Sequence, residues 1–420
     1  MLNHEEILFN SEQNSKLKTT LRYVKKNVPI YSKLLESIDL EKDFDDKELK
    51  KIYNSLPFQS KSSMRYDEGY FSVDRNILSS SIEKKYTGGT TGEPWCIHKT
   101  KTEIGKYFYP LWKSRLQFGI KPSDHFYQFG GYGEIDGVFT TKQIIEYNNY
   151  TEFSLFHLND EVFDKYINVL QEGKGNWFFA NPSALYLLAL RMKEKGIKGI
   201  GKIKYIELTG ERVYEYQEEL FREVFDCPIS VMYGSREVTT ISHRCLYGNH
   251  HVFDHLIIET IDDNGKTIPL GTPVAGEIVA TSLIDKYMPF IKYKTNDYAI
   301  LSYKDDCPCG KKGLVFENIL GRTAEIVEIN NKKYHMELVF YLMDKFNSLY
   351  KSGIRQFQVT FRKPNTFIFC FVVENKELEN IVSEFYKNEL RCMIPGINVE
   401  TKFKKIINRE KRKYNPYIIE

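Results

Sequence analysis

Short β-type runs alternate with amphipathic helical stretches from about residue 75 to about residue 320 of the chain. The runs predicted to be buried strands are 126–129, 177–180, 203–208 and 229–233, and the helical stretches are 161–171, 183–195 and 214–225. A chain in which strands and helices alternate folds into a sheet with helices packed on it. The sequence therefore predicts an α/β fold.

The regions on either side of this alternation have different patterns. Residues 1–55 carry apolar positions at helical spacing, and residues 250–303 are rich in β-type sequence. From about residue 325 onward strand and helix patterns mix, which predicts a small α+β domain. A length of 420 residues favours two or three domains over a single core.

The charge and cysteine content argue against several classes of function. The chain has 59 basic and 56 acidic side chains, and this near balance gives no reason to expect a nucleic acid or an anionic membrane as partner. We find no run of about 18 apolar residues and no signal-peptide layout at the polar N-terminus, so neither a membrane span nor secretion is expected. The seven cysteines are mostly scattered, which favours reduced thiols and a cytoplasmic protein.

The segment from Tyr86 to Pro94, Tyr-Thr-Gly-Gly-Thr-Thr-Gly-Glu-Pro, suits a loop that binds an anion. Glycine lets the backbone approach a ligand closely, and backbone N–H groups and threonine hydroxyls can donate to its oxygens. The segment is not a Walker A loop, because Gly92 is followed by Glu93 rather than by lysine. The residues predicted to bind phosphate are Thr87, Gly88, Gly89, Thr90, Thr91 and Gly92. An ordinary surface loop is the alternative.

Two acidic residues, Glu237 and Asp297, lie in turn-like segments. Glu237 follows the β-type run 229–233 and a glycine turn, where a carboxylate is well placed to hold Mg²⁺ bound to phosphates. Asp297 ends the segment Lys-Tyr-Lys-Thr-Asn-Asp. Considered alone, Glu237 is better explained as a solvated residue in a common Tyr-Gly turn, and Asp297 is simply a turn residue.

These segments, in this order, resemble the motifs of adenylate-forming enzymes, the superfamily of acyl-CoA synthetases, adenylation domains and luciferases. The resemblance implies that the Thr-Gly segment binds the phosphates of ATP. It further implies that Tyr233, with Gly234 and Ser235, contacts adenine and that Glu237 is a catalytic residue that holds Mg²⁺. Arg236 stands where the family has threonine or serine.

Later positions continue the same resemblance. Asp297 matches the aspartate that binds the ribose hydroxyls, with Asn296 where the family has glycine. Arg322 matches the arginine of a Gly-Arg hinge motif and would contact ribose or phosphate. Near the C-terminus, Lys413 matches the catalytic lysine that neutralises charge on the carboxylate and the α-phosphate, and Lys411 is the alternative.

Other segments resemble the phenylacetate-CoA ligase branch and its CapK-like relatives. They are Leu56-Pro57-Phe58 with Lys61, the segment 129–133 and the segment 209–211. The residues implied to border the acid are Tyr132, Gly133 and Thr209, and those implied to contact the nucleotide are Gly210 and Glu211.

Cysteine and histidine residues form a second constellation. Cys245 and His250 are separated by four residues, and Cys307-Pro308-Cys309 is a closely spaced pair of thiols. Four such ligands suit a closed, structural Zn²⁺ site, whereas four ordinary residues are the alternative. Members of the phenylacetate-CoA ligase branch can carry a zinc-like cluster at matching places. The rivals for the histidine ligand are His243, His251 and His255.

The resemblance implies an acid–thiol ligase with a large N-terminal domain, 1–322, and a small mobile C-terminal lid domain, 323–420. Such an enzyme would activate a small-molecule carboxylic acid with ATP and Mg²⁺, release pyrophosphate, and transfer the acyl group to a thiol, most simply coenzyme A. The alternatives are a ligase with an amine, hydroxyl or carrier-protein acceptor and a non-catalytic nucleotide-binding scaffold. The identity of the acid stays open, as does a homodimeric state.

Overall fold

A computed structural model describes residues 10–42, 44–86, 95–130, 134–135, 138–139, 142–154, 159–322, 326–330, 332–335, 337–350, 353–405, 407 and 417–419. The chain divides into two compact units, and each is built from two stretches of sequence. The first unit is Met1–Lys121 with Met232–Thr323, and the second is Pro122–Val231 with Ala324–Glu420. The domains predicted from the sequence, 1–322 and 323–420, stay a prediction.

The helices and strands are numbered here in chain order. The helices are α1 (Ser11–Asn27), α2 (Pro29–Leu34), α3 (Asp46–Ser55), α4 (Lys61–Met64), α5 (Lys101–Leu116), α6 (Asp160–Glu172), α7 (Pro182–Glu194), α8 (Glu215–Phe225), α9 (Glu337–Tyr350) and α10 (Leu378–Met393). The strands up to the end of the first alternation are β1 (Ile82–Tyr86), β2 (Cys96–Thr100), β3 (Phe126–Gly130), β4 (Glu134–Ile135), β5 (Val138–Phe139), β6 (Ile144–Glu146), β7 (Tyr150–Ser154), β8 (Trp177–Ala180), β9 (Tyr205–Thr209) and β10 (Ile229–Tyr233). The later strands are β11 (Ser242–Arg244), β12 (His250–Val252), β13 (Leu256–Ile261), β14 (Gly276–Ser282), β15 (Tyr293–Lys304), β16 (Gly313–Arg322), β17 (Ile326–Ile329), β18 (Lys332–His335), β19 (Ile354–Arg362), β20 (Thr366–Val373), β21 (Asn398–Phe403) and β22 (Tyr417–Ile419).

The first unit joins the N-terminal helices to an antiparallel sheet. Its strands follow the order β13-β14-β15-β16-β12-β11, and β11 pairs with Met232 and Tyr233 at the end of β10. Asn10 caps α1 by accepting from the backbone N–H of Gln13, and the apolar positions Leu17 and Leu21 are fully buried on one face. They share a core with Ile257 of β13. Burying a side chain of this size contributes about 1.5–3 kcal/mol, so the spacing of these leucines fixes how α1 packs.

The second unit contains the predicted alternation of strands and helices. The strands β7, β3, β8 and β9 are parallel neighbours in that order, and α6, α7 and α8 pack on them through one core. The C-terminal part of this unit has the strand order β21-β20-β19-β22, with α10 and α9 contributing to its core. The α/β fold class and the mixed C-terminal pattern are therefore confirmed. Among the described residues, no helix is long and apolar enough to cross a membrane.

Candidate functional site

The strands β1 and β2 flank the Thr-Gly segment and pair with each other. They are antiparallel, and Tyr86 at the end of β1 lies opposite Cys96 at the start of β2. Trp95, just before β2, is buried, and its ring lies edge-on to that of Phe290 with the centroids 6.1 Å apart. The predicted phosphate-binding residues Thr87, Gly88, Gly89, Thr90, Thr91 and Gly92 lie outside the described residues, and their role stays a prediction.

Three of the predicted nucleotide-binding positions meet in the first unit. The hydroxyl of Tyr233, the last residue of β10, donates to Oδ2 of Asp297 over 2.8 Å. Asp297 also pairs in register with Arg322, the last residue of β16. The fold therefore brings together residues that are far apart in the sequence and that suit an adenine ring, ribose hydroxyls and phosphate.

The backbone before Asp297 explains why asparagine is accepted where the family has glycine. Asn296 has a φ of 60°, which lies in the left-handed region, and asparagine tolerates that region better than most residues. The hydroxyl of Thr295 donates to the backbone oxygen of Ile278 over 3.0 Å and accepts from the N–H of Asp297 over 3.2 Å. These bonds hold the turn that orients Asp297.

A tight turn after β10 positions Glu237. A Cβ atom on Gly234 would lie 2.0 Å from the backbone oxygen of Thr239, so this position requires glycine. The hydroxyl of Ser235 accepts from the N–H of Val238 over 3.2 Å and stabilises the turn. The side chain of Glu237 is half-buried within this turn, where its carboxylate can meet a ligand.

Tyr293 contacts Glu237 directly, and sequence analysis did not identify it as a site residue. Its hydroxyl donates to Oε1 of Glu237 over 3.2 Å, although the two residues are 56 positions apart. Tyr293 is 2% exposed, and its ring lies 6.2 Å from that of Trp95 between centroids. Its place in the Lys-Tyr-Lys-Thr-Asn-Asp segment was the available signal, but that segment does not reveal the contact with Glu237.

The predicted residues Thr209, Gly210 and Glu211 lie in the second unit. Gly210 has a φ of 81°, and a Cβ atom there would lie 2.9 Å from Nδ2 of Asn181. Oε2 of Glu211 accepts from the backbone N–H of Ser183 over 3.0 Å and from its hydroxyl over 2.5 Å. The carboxylate therefore stabilises the N-terminus of α7. The predicted contacts of this segment with acid and nucleotide stay predictions.

Other predicted site residues fall where the structure gives no description. They are Tyr132, Gly133, Lys411 and Lys413. Their roles at the acid and at the α-phosphate stay predictions.

Cys245, His251, Cys307 and Cys309 converge in the first unit, and their ligand atoms lie within 4.8 Å of one another. Nε2 of His251 is 3.3 Å from the sulfur of Cys307 and 3.3 Å from that of Cys309. The sulfurs of Cys245 and Cys307 are 3.8 Å apart. A compact set of thiols and one imidazole matches the ligand types of a tetrahedral Zn²⁺ site.

The structure places His251, rather than the predicted His250, in this cluster. Successive residues of a strand point to opposite faces, so only one of two adjacent histidines in β12 can face the cysteines. His250 pairs in register with Phe316 and Arg244, and its Nδ1 is buried without a hydrogen-bond partner among the described residues. The assignment of His250 was therefore wrong, and His251, one of the rivals named from the sequence, takes its place.

Electrostatics act in opposite directions on the two thiols of the Cys-Pro-Cys pair: burial is the main cause that raises the pKa of Cys309 to about 11, whereas the pKa of Cys307 is lowered. Burial opposes ionisation of Cys307, but its sulfur accepts hydrogen bonds that include those from the backbone of Cys309 and the side chain of Asn249, and they lower its pKa. Burial and the nearby charges of Lys311 and Lys304 lower the pKa of His251 to about 4, so its imidazole is neutral at pH 7. A thiolate and a neutral imidazole are the forms that bind Zn²⁺.

A buried polar network holds β2 in the same unit. The ammonium of Lys99 lies 2.7 Å from Oδ1 of Asp285, and the hydroxyl of Tyr107 donates to Oδ2 over 2.7 Å. Oε1 of Glu103 accepts from the backbone N–H groups of residues 286 and 287 over 2.6 and 3.0 Å. These bonds attach β2 and the start of α5 to the segment that follows β14.

Comparison with known proteins finds relatives in sequence and in fold. No family model matches the chain. A phenylacetate-coenzyme A ligase of Thermus thermophilus is 26% identical over 328 residues, which cover 76% of this chain and 71% of that protein. A phenylacetate-coenzyme A ligase of Aromatoleum evansii is 25% identical over 297 residues, covering 68% and 64%. The chain thus spans about two thirds of the length of these relatives.

Solved structures show the same fold over most of the chain. A 2-hydroxyisobutyryl-CoA ligase in the postadenylation state, in complex with 2-HIB-AMP, matches 99% of this chain and 91% of its own with a TM-score of 0.74 and 14% identity. The anthranilate CoA ligase AuaEII, in complex with anthranoyl-AMP, matches 79% of this chain and 65% of its own with a TM-score of 0.53 and 14% identity. The chain is therefore similar in sequence to phenylacetate-coenzyme A ligases and shares the fold of adenylate-forming CoA ligases.

Proposed function

We propose that the chain activates a carboxylic acid with ATP and then transfers the acyl group to the thiol of coenzyme A. The observation that carries this proposal is the assembly of Tyr233, Asp297 and Arg322 in one unit, with Glu237 on the turn that follows Tyr233. These groups suit the adenine, ribose and phosphate–magnesium parts of ATP. The names of the sequence relatives, phenylacetate-coenzyme A ligases, support coenzyme A as the acceptor.

The reaction has two displacement steps. In the first, a carboxylate oxygen of the acid attacks the α-phosphorus, and the bond from that phosphorus to the bridging oxygen of pyrophosphate breaks. In the second, the sulfur of coenzyme A attacks the acyl carbon, the bond to the AMP oxygen breaks, and the thiol proton passes to solvent. Lys413 and the residues 87–92 are proposed to stabilise the negative charge that develops at the phosphorus. In this proposal the lid domain 323–420 carries Lys413 to the site.

The donor set around Glu237 fits magnesium. A carboxylate oxygen is a hard ligand of the kind that Mg²⁺ prefers, and the side chain is half-buried rather than enclosed. Mg²⁺ bound there would neutralise charge on the phosphate oxygens of ATP. Asp297, which Tyr233 holds by a hydrogen bond of 2.8 Å, would accept from the ribose hydroxyls.

Pyrophosphate release tests the proposal. The protein is assayed with ATP and Mg²⁺ against aryl, arylacetic, hydroxylated and short-chain acids, each with and without coenzyme A. We expect release that depends on one class of acid and increases with coenzyme A, together with formation of the matching thioester. Acid-dependent release without a thioester would point to another acceptor, and no release with any acid would contradict adenylation.

We also propose that Cys245, His251, Cys307 and Cys309 bind one structural Zn²⁺. The ligand types, their closeness and the lowered pKa of Cys307 support this proposal. Four protein ligands would leave no open position for a substrate, so the metal would stabilise the fold rather than take part in the reaction.

The neighbouring histidines give a matched test of the zinc site. Purified wild-type protein and the variants His251→Ala and His250→Ala are analysed for metal by mass spectrometry. We expect about one zinc per chain in the wild type and in His250→Ala, and a large loss in His251→Ala. Equal zinc content in both variants would contradict the assignment of His251.

A further inference from the structure

Tyr293 is fixed in place by packing on its ring. The residue is 2% exposed, and its ring lies 5.1 Å from that of Phe290 and 6.2 Å from that of Trp95 between centroids. Aromatic contacts of this kind restrict rotation of the ring. The hydroxyl at its end therefore has a defined position before any ligand binds.

The backbone on both sides of Tyr293 is held as well. The N–H of Gln59 donates to the oxygen of Lys292 over 2.9 Å, and the N–H of Lys294 donates to the oxygen of Gln59 over 2.8 Å. Gln59 is itself 2% exposed. Two backbone hydrogen bonds and two ring contacts together make Tyr293 a rigid support.

The group that this support reaches is the carboxylate of Glu237. Glutamate has a flexible side chain, and ordering it costs conformational entropy. The Tyr293 hydroxyl donates to Oε1 over 3.2 Å and so restricts the carboxylate before a ligand arrives. A phenol is a neutral donor, so it orients the carboxylate without cancelling the charge that a metal ion needs. A lysine or arginine at this place would orient Glu237 but compete with a bound cation.

Tyr293 also contacts the chain beside the predicted phosphate-binding segment. Trp95 follows that segment directly and is the start of the stretch that becomes β2. One tyrosine therefore packs against Trp95 and donates to the proposed magnesium ligand. Both the segment before Trp95 and Glu237 are proposed to act on the triphosphate of ATP.

We propose that Tyr293 is a positioning residue that orients Glu237 for the magnesium complex of ATP. The inference rests on the proposed use of ATP, but it concerns binding and does not depend on which acid or acceptor is used. It predicts that loss of the hydroxyl weakens the contribution of magnesium to nucleotide binding. It also predicts that this effect requires Glu237.

Calorimetric titration of ATP, with and without Mg²⁺, tests the role of Tyr293. The variant Tyr293→Phe keeps the ring contacts and removes only the hydroxyl. We expect the gain in ATP affinity on adding Mg²⁺ to fall by about tenfold, near the low end of the range for losing a hydrogen bond to a charged group. Affinity measured without Mg²⁺ should change little.

Tyr53→Phe is the matched control. Tyr53 is also fully buried in the first unit, and its hydroxyl bonds the hydroxyl of Thr281 at 2.9 Å. The variant Tyr53→Phe should leave the gain in ATP affinity on adding Mg²⁺ unchanged. An equal loss in both variants, no loss in Tyr293→Phe, or a wild-type affinity for ATP that does not depend on Mg²⁺ would each overturn the inference.

A double-mutant cycle separates positioning from a general effect on structure. In a Glu237→Gln background, Tyr293→Phe should have no further effect on the magnesium-dependent affinity, because it acts through Glu237. Additive losses would overturn the inference. The binding measurements use no acid and no coenzyme A. A failure to release pyrophosphate would therefore count against the proposed function without deciding the role of Tyr293.

Discussion

Two carboxylates of the first unit, Asp285 and Glu237, have very different surroundings. Asp285 is 2% exposed and meets the Lys99 ammonium and the Tyr107 hydroxyl, each at 2.7 Å. Glu237 is half-buried and accepts from the neutral hydroxyl of Tyr293 over 3.2 Å. The carboxylate of Asp285 is matched by a buried cation, so removing it would leave that cation unpaired, whereas the carboxylate of Glu237 is oriented by a neutral donor and is available to a ligand.

This contrast separates a framework from a site. The framework comprises Lys99, Glu103, Tyr107 and Asp285, which attach β2 and α5 to the segment after β14. Burial raises the pKa of Asp285 and the Lys99 charge opposes that rise, so this ion pair forms at a cost in desolvation. Changes in the framework should therefore affect folding, and changes at Glu237 should affect function.

The largest effect is expected for Asp285→Ala. This change leaves the Lys99 ammonium buried without its carboxylate, and breaking a buried pair in this way costs about 3–5 kcal/mol of unfolding free energy. Urea denaturation measures the loss. The control is Glu161→Ala, which removes a carboxylate that lies 3.1 Å from Lys165 on the exposed face of α6. It should leave the midpoint nearly unchanged, and equal losses in the two variants would contradict the framework role of Asp285.

Glu237→Gln should show the opposite pattern. Removing the charge proposed to hold magnesium should slow pyrophosphate release by about a hundredfold, a typical loss for one electrostatic group at a reacting centre. Its midpoint of unfolding in urea should stay close to that of the wild type. A fall in stability as large as that of Asp285→Ala would remove the distinction between framework and site.

Acid pH should weaken the framework through His255, which is the smallest of these effects. His255 packs edge-on to Tyr107 at 4.8 Å, and its Nε2 lies 3.0 Å from the backbone oxygen of Thr240. Burial lowers the pKa of His255 to about 3, although its hydrogen bond to Thr240 acts in the opposite direction. A histidine in the unfolded chain has a pKa of about 6.5. The unfolded chain therefore binds the extra proton first as the pH falls. Neutral His255 therefore makes its full contribution to the free energy of unfolding above about pH 6.5. At pH 5 the free energy of unfolding is lower by about 2 kcal/mol because of this residue.

Comparison with His255→Gln isolates this effect. Glutamine can still donate to Thr240 but does not titrate, so the variant should lose less stability than the wild type between pH 7 and pH 5. Burial also lowers the pKa of His250 to about 3, so the variant should keep part of the pH dependence. The midpoints of urea unfolding of the wild type and of His255→Gln, measured at pH 7 and at pH 5, test this expectation. Identical pH dependence in the two proteins would show that His255 does not contribute.

Local patterns in the sequence predicted much of the fold. The apolar runs at β3, β8 and β10 and the amphipathic stretches at α6 and α7 predicted the α/β class, because each pattern reflects burial on a sheet or on one helix face. The order of the motifs predicted that Tyr233 and Asp297 belong to one site, and the structure shows their contact. Motif order is informative here because widely spaced residues must converge on the same ligand.

Contacts that depend on register or tertiary packing could not be predicted in this way. The choice between His250 and His251 depends on which face of β12 meets the cysteines, and two adjacent histidines give no local signal for it. Lys99 and Asp285 are 186 positions apart, and neither lies in a recognised motif. The contact between Tyr293 and Glu237 likewise depends on how β15 packs beside the turn after β10.

The β15–β16 hairpin connects the cysteine–histidine cluster to the predicted nucleotide-binding residues Asp297 and Arg322. Cys307 and Cys309 lie in its closing turn, and Asp297 pairs with Arg322 toward its open end, roughly 25 Å away at the usual rise of a strand. A metal bound at that turn would also stabilise the register in which β15 pairs with β16. A preparation depleted of zinc by chelators would then bind ATP poorly although its nucleotide residues are intact. Metal content and ATP affinity therefore need to be measured on the same sample.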